Sequence, residues 1–244
     1  MGTNNSPLGA GGMNVVITGA SRGIGKAIAE IFAAHGYDLY LSSRNEVMLY
    51  KTMEELVTRF PSVTIKAKPF DLSKKEQAKE LGKWSLGFGT PAILVNNAGL
   101  FEPGGVHNEP EGVLENQIET NLYSAYHLTR TVLPSMIKQK SGHVFNMCSI
   151  ASLKAYDNGG AYSISKFALY GFSKNLREEM KPHGIKVTSV HPGAVLTDSW
   201  AGYDNSSKRI MEAEDVAKLV FAASQLSIQA CVEDIILRPQ LGDL

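Results

Sequence analysis

Residues 13–25 read MNVVITGASRGIG. The first six form an apolar run closing on Thr18, the pattern of a buried strand. From Ile24 the apolar residues Ile24, Ala27, Ile28, Ile31 and Phe32 fall at helical spacing, and Gly36 is a fitting stop. Between strand and helix lie Gly19, Gly23 and Gly25. Glycines there let the backbone turn tightly and approach a pyrophosphate. The helix N-terminus adds free N–H groups and the positive end of its dipole. The spacing is Gly-x-x-x-Gly-x-Gly, not the standard Gly-x-Gly-x-x-Gly. Its place at the first strand–helix junction nevertheless marks it as a dinucleotide cradle. Gly19, Ser21, Arg22, Gly23, Ile24 and Gly25 are its candidate cofactor residues.

The same alternation continues outward. Further strands are expected at 37–41, 63–67, 92–96, 142–148, 185–190 and 231–237. Helices are expected at 45–60, from 74, at 111–138 (one long or broken), 161–181 and 213–223. Ser73 is expected to cap the helix from Lys74, with Glu76 completing a capping box. Several strands are continuously apolar, as when both faces are covered. The pattern predicts an α/β fold: a doubly wound parallel sheet of about seven strands with helices on both faces. We read one domain over 13–244, preceded by an expression leader at 1–12, MGTNNSPLGAGG.

Composition narrows the function. Lys+Arg and Asp+Glu are both 24, so net charge is zero, which disfavours nucleic-acid and anionic-membrane partners. No apolar run approaches the roughly 18–20 residues of a membrane span. Cys148 and Cys231 sit in apolar, strand-like runs and are read as buried free thiols, in keeping with a cytoplasmic location. The six histidines show no metal-ligand spacing, so no metal is expected and they are assigned to the surface or to helix packing.

The chemistry concentrates in residues 149–166, SIASLKAYDNGGAYSISK. Tyr162 and Lys166 are one helical turn apart and share a face. A phenol has a free pKa of about 10, and a fixed ammonium beside it favours the phenolate. Ser149 closes the strand HVFNMCS, where its hydroxyl can hold a carbonyl oxygen. The second strand ends Leu41-Ser42-Ser43-Arg44, with no acid where the ribose hydroxyls of NAD would be held. Arg22 and Arg44 suit a 2′-phosphate, so the cofactor expected is NADPH, with Ser43 beside it.

Together these pieces resemble the short-chain dehydrogenase/reductase family, from Met13 to the C-terminus. The resemblance rests on TGASRGIG, Asp71 in FDLS, NNAG at 96–99, Asn121 in ETNLYSAY, Ser149, Tyr162-x-x-x-Lys166 and Pro192-Gly193. It implies the Rossmann fold and a role for each residue. Asp71 and Leu72 would hold the adenine, and Asn97, Ala98 and Gly99 would pack beneath the cofactor. Pro192, Gly193, Val195 and Thr197 would border the nicotinamide. Ser149 would bind the substrate carbonyl and Tyr162 would protonate it. Lys166 would lower the tyrosine's pKa and bind the nicotinamide ribose. Asn121 would hold a water for proton relay. Ala151, Tyr156 and Trp200 would wall the substrate pocket with Ser149. The resemblance implies a homodimer or homotetramer and an NADPH-dependent carbonyl reductase for a small ketone. The C-terminal segment is similar to sepiapterin-reductase-like members, which act on pterin side chains and diketones. The alternatives are a 3-oxoacyl-thioester reductase and a non-catalytic NADPH-binding regulator. Against the regulator stands the presence of Ser149, Tyr162 and Lys166 together.

Overall fold

The computed structural model describes residues 13–197, 200 and 202–242. The leader assigned to residues 1–12 lies outside them. Seven strands form one sheet: β1 (Asn14–Thr18), β2 (Asp38–Ser42), β3 (Ile65–Ala67), β4 (Ile93–Asn96), β5 (Gly142–Met147), β6 (Ile185–Pro192) and β7 (Asp234–Leu237). Their order is β3-β2-β1-β4-β5-β6-β7, and every pairing is parallel. The chain therefore reverses its direction of travel between β1 and β4. In such sheets the crevice beyond the strand C-termini at that reversal is where ligands bind.

Helices α1 (Gly23–Ala34), α2 (Glu46–Arg59) and α7 (Ala213–Ser224) cover one face. Helices α3 (Lys75–Leu86), α5 (Ser124–Gln139) and α6 (Gly160–Met180) cover the other. β1 shows why its run is continuously apolar. Val15 and Ile17 pack with Ile28, Phe32, Leu49 and Val220, while Val16 points the other way, to Leu81, Leu128, Val132 and Leu176. Alternate side chains of a strand face opposite sides, so a doubly covered strand needs apolar residues at every position. Each large side chain fully buried in these layers stabilises the fold by about 1.5–3 kcal/mol.

Local chemistry sets the ends of the elements. Asn45 caps α2 by accepting from the Met48 N–H at 3.0 Å. The capping box expected from Ser73 does not form. Lys74 is the N-cap of α3, and Ser73 is drawn away because its N–H and hydroxyl both donate to Asp71 Oδ1, at 3.1 and 2.8 Å. The long helix predicted over 111–138 is broken: α4 (Val113–Ile118) passes through a π-turn at Glu119–Tyr123 into α5. No helix among the described residues is long and apolar enough to cross a membrane.

Two expectations are corrected. Cys148 is buried, but Cys231 is exposed, because β7 begins only at Asp234 and leaves the preceding run at the surface. His143 and His191 are neither at the surface nor on helices. They lie in β5 and β6, almost fully buried. Thr188 Oγ1 gives its hydrogen to Val232 O, so His143 Nε2 is the donor in its 2.7 Å bond to Thr188. Protonation would add a charge at a buried nitrogen, and burial pushes the His143 pKa down to about 3. Between the ordinary imidazole pKa near 6.5 and about 3, the unfolded chain binds the extra proton and the folded chain does not. Stability is therefore expected to fall as pH drops through that window. A His143→Gln variant should lose less stability across it, measured as the slope of the unfolding midpoint against pH. An unchanged slope would remove His143 as the cause.

Candidate active site

Two contiguous clefts open along the C-terminal edge of the sheet and share Ile24, Asn97, Gly99, Leu100 and Thr197. One, of about 600 Å³, lies over the β1–α1 turn. It is lined by Gly19, Ser21, Arg22, Gly23, Ser43, Arg44, Asp71, Leu72 and Ala98 together with the shared residues. The other, of about 710 Å³, gathers Ser149, Ala151, Tyr156, Tyr162, Lys166, Pro192, Gly193, Val195 and Trp200. Of the residues expected at the site, only Gly25 and Asn121 line neither cleft, and both sit behind its walls.

Thr18 knits the floor at the reversal point. Its hydroxyl donates to Val95 O at 3.3 Å and accepts from the Asn97 and Ala98 N–H groups, each at 2.9 Å. Asn97 Nδ2 returns the contact by donating to Thr18 O at 2.9 Å and Gly19 O at 3.2 Å. A Cβ on Gly25 would overlap Gly19 O and come within 2.5 Å of Asn97 Nδ2, so the turn closes only because that atom is absent. Gly19 has φ +63°, which a glycine adopts without strain. No acid lies in the first turn of α1, so its N-terminus keeps its affinity for an anion. Ser21 and Ser43 join the ends of β1 and β2 through hydroxyls 2.9 Å apart, and the residues that follow them, Arg22 and Arg44, are exposed. These features fit the phosphates of a dinucleotide.

At the other end, β5 delivers Ser149 and α6 delivers Tyr162. The Ser149 side chain lies close enough to the Tyr162 phenol to hold its pKa down, and its hydroxyl accepts from the Ala151 N–H at 3.1 Å. Phe101 meets the Tyr162 ring edge-on, with centroids 4.8 Å apart. Lys166 donates from Nζ to Met147 O at 2.8 Å and stands 5.8 Å from the centre of the Tyr162 ring. Burial pushes Tyr162 up to about 12, opposed by the nearby Ser149 hydroxyl, and pulls Lys166 down to about 8. The expectation that Lys166 lowers the tyrosine's pKa is therefore not met in the free protein. The site is dry enough that desolvation of the charged form is the largest effect on each of the two.

Asn121 is held at the π-turn by a closed set of bonds. Its Oδ1 accepts from the Leu100 N–H at 2.7 Å, and its Nδ2 donates to Leu100 O at 3.0 Å and Ser165 Oγ at 2.8 Å. It thus fixes the loop after β4 against α6. Asp71 Oδ1 is engaged by Ser73, as described above.

Some residues of the site were not anticipated. Glu109 Oε1 accepts from the Ala161 N–H at 2.7 Å, which anchors the start of α6 to the loop after β4. A Cβ on Gly160 would overlap that oxygen. His191 Nδ1 lies 3.1 Å from Ser149 O, and its Nε2 lies 3.3 Å from Asp234 Oδ1, so a buried imidazole braces the serine from below. Lys154 and Arg238 line the larger cleft. Arg238 carried one readable signal: it follows the last strand, and the C-terminal ends of parallel strands converge on the ligand crevice.

A family model described as short chain dehydrogenase matches residues 13–208. An uncharacterised oxidoreductase of Staphylococcus aureus is 31% identical over 225 residues, covering 92% of this chain and 96% of the relative. Among solved structures, an alcohol dehydrogenase from the archaeon Thermococcus sibiricus, complexed with 5-hydroxy-NADP, superposes with TM-score 0.88. It is 29% identical and covers 94% of this chain and 97% of its own. A metagenomic short-chain oxidoreductase in complex with NADP superposes with TM-score 0.81 at 29% identity, over 93% and 97% of the two chains. The family match runs from the first strand, through the glycine turn and the Ser149–Lys166 segment, into the stretch after β6. The chain belongs to the short-chain dehydrogenase family of oxidoreductases.

Proposed function

We propose that the protein reduces a small ketone with NADPH. One observation carries this reading: Ser149, Tyr162 and Lys166 line a cleft continuous with the one over the glycine turn and its flanking Arg22 and Arg44. Bound NADPH would supply the hydride to the carbonyl carbon. The chain's residues would do the rest. Gly19, Ser21, Gly23 and the α1 N-terminus would take the pyrophosphate. Leu72 and Asp71 would border the adenine. Asn97, Ala98, Gly99, Pro192, Gly193, Val195 and Thr197 would seat the nicotinamide end. Ser149 would donate a hydrogen bond to the substrate oxygen as charge develops there. Tyr162 would give that oxygen its proton, completing the alcohol. Lys166, charged below about pH 8, would hold the ribose and return a proton to Tyr162, with Asn121 fixing the neighbouring loop. Ala151, Tyr156 and Trp200 would wall the substrate.

The 710 Å³ cleft suits a small ligand, such as a diketone or the side-chain carbonyl of a pterin. The discriminating assay follows NADPH oxidation with sepiapterin, a small α-diketone and an acetoacetyl thioester side by side. Turnover of the thioester alone would overturn the small-ketone reading. Run with either coenzyme, it should give a KM for NADPH at least about tenfold below that for NADH, since charge-assisted bonds to a 2′-phosphate are worth that much. Arg22→Ala with Arg44→Ala should erase the difference. Equal constants in the parent would remove both arginines as phosphate readers.

A cytoplasmic homodimer completes the proposal. Its support is the exposure of Tyr123 in the π-turn and of Ile164 and Phe167 on α6, apolar surface that a second copy would cover. Sedimentation of the pure protein would check it.

A further inference from the structure

Resting on the reductase reading, we infer that His191 is a positioning residue for the reaction: it fixes Ser149, the serine that binds the substrate carbonyl, and Asp234 aims it to do so. His191 is the penultimate residue of β6, is fully buried and lines neither cleft. It can therefore act on the substrate only through another group. Its Nδ1 lies 3.1 Å from Ser149 O. A carbonyl oxygen only accepts, so Nδ1 carries the hydrogen and donates it.

The serine needs such a tie. The pairing of β5 with β6 ends at Met147 and Val190, so the ladder no longer holds residue 149. The other backbone bonds of Ser149 stay inside its own turn. Its N–H donates to Ser152 Oγ at 2.9 Å, and its carbonyl accepts from the Ser152 N–H at 2.9 Å and from Ser152 Oγ at 2.6 Å. These bonds shape the 3₁₀ turn Ile150–Ser152 but would travel with it. The turn also meets α6, where Ser163 Oγ donates to Ala151 O at 2.8 Å. The bond from His191 ties the serine itself to β6, and so to the sheet.

The ring is aimed in its turn. Asp234 Oδ1 faces Nε2 at 3.3 Å, and the Tyr170 ring meets the imidazole edge-on, with centroids 4.7 Å apart. Asp234 Oδ2 accepts from the Tyr170 hydroxyl at 3.3 Å, and Arg177 stands 3.6 Å from Oδ1. Tyr170 and Arg177 both belong to α6. Tyr162, Lys166 and Tyr170 follow at intervals of four, so they share one face of that helix. Asp234 thus joins the imidazole beneath the serine to the helix that carries the tyrosine. The serine hydroxyl and the phenol must meet one substrate oxygen, and a misplacement of about 1 Å can cost on the order of a hundredfold.

A double-mutant cycle through Ser149 tests this. His191→Leu fills the space without a donor and should lower kcat for the ketone by about tenfold to a hundredfold. The Kd for NADPH should stay within about threefold of the parent's, because the coenzyme does not meet residue 191. His191→Asn keeps an amide N–H in the place of Nδ1–H and should recover kcat to within about threefold of the parent. Ser149→Ala alone should lose about 10²–10³-fold. Adding His191→Leu to it should cost less than about threefold more, because the group that His191 positions is gone. A parent-like kcat in His191→Leu, a loss that His191→Asn does not relieve, or an equal loss with and without the serine hydroxyl would overturn the inference and leave the reductase reading intact. If His191→Leu does not fold, Asp234→Ala carries the cycle. Asp234 is partly exposed, and without it Arg177 keeps its bonds to Val187 O and Ser189 Oγ. It should cost at least about threefold in the parent and less than that in Ser149→Ala. Equal effects in the two would again overturn the inference. If no ketone of the panel oxidises NADPH, the reductase reading fails instead, and crystal structures decide the tie. The Ser149 side chain should stand about 1 Å from its parent position in His191→Leu or Asp234→Ala, and return to it in His191→Asn. A serine that stays in place would refute the tie.

Discussion

Tyr162→Phe is expected to lower ketone turnover by about 10²–10⁴-fold, the contribution of a positioned proton donor, while NADPH binding persists. The substitution removes one oxygen and keeps the ring, so the edge-on contact with Phe101 survives. The neighbouring Ser149 hydroxyl still accepts from the Ala151 N–H. Stability should therefore change by only about 1 kcal/mol. With burial holding the Tyr162 pKa near 12, the phenol is protonated at neutral pH and present as a donor. The phenylalanine ring leaves the developing alkoxide with Ser149 alone. Single-turnover NADPH oxidation, with coenzyme binding measured separately by fluorescence, distinguishes lost chemistry from lost binding. Turnover within tenfold of the parent would remove Tyr162 as the proton donor, and abolished binding would make its role structural.

Gly25→Ala is expected to damage the coenzyme site almost as severely, by a different route. The new methyl would overlap Gly19 O and crowd Asn97 Nδ2, and neither is the loose end of a flexible chain. Gly19 belongs to the turn itself, and Asn97 is tied to Thr18 O and Gly19 O. Relief requires the glycine turn to move away from the end of β4, which separates the two sides of the groove. Overpacking of this kind costs about 1–3 kcal/mol, so NADPH affinity should drop by roughly tenfold to a hundredfold if the strain falls on the turn. Ala29, further along α1, is already buried with its methyl in place, and Ala29→Gly serves as a control that perturbs the helix without touching the turn. The readout is the shift in unfolding midpoint on adding NADPH. A Gly25→Ala protein with the parent's shift would show that the turn tolerates the methyl. A comparable loss in Ala29→Gly would trace the defect to the helix.

The sequence by itself determined the elements, their type and the residues that each brings along. Strand and helix periods are properties of the backbone, so MNVVIT had to read as a strand buried on both faces, and Tyr162 and Lys166 had to share a helical face. Short-range rules failed where a neighbour competed: Ser73 forms bonds with Asp71 instead of capping α3. What only the tertiary structure decided is which side chains meet and in what medium. The order β3-β2-β1-β4-β5-β6-β7 sets Thr18 against Asn97 and Ala98, Ser149 against His191, and Arg238 on the same cleft as Lys154, across chain separations that no spacing encodes. Burial belongs to the whole fold as well. A tyrosine and a lysine one turn apart suggested a lowered phenol pKa, yet the layers packed around them leave burial as the larger effect, raising Tyr162 and lowering Lys166. Desolvation depends on every group that displaces water from a site, and most of those groups lie far away in the chain.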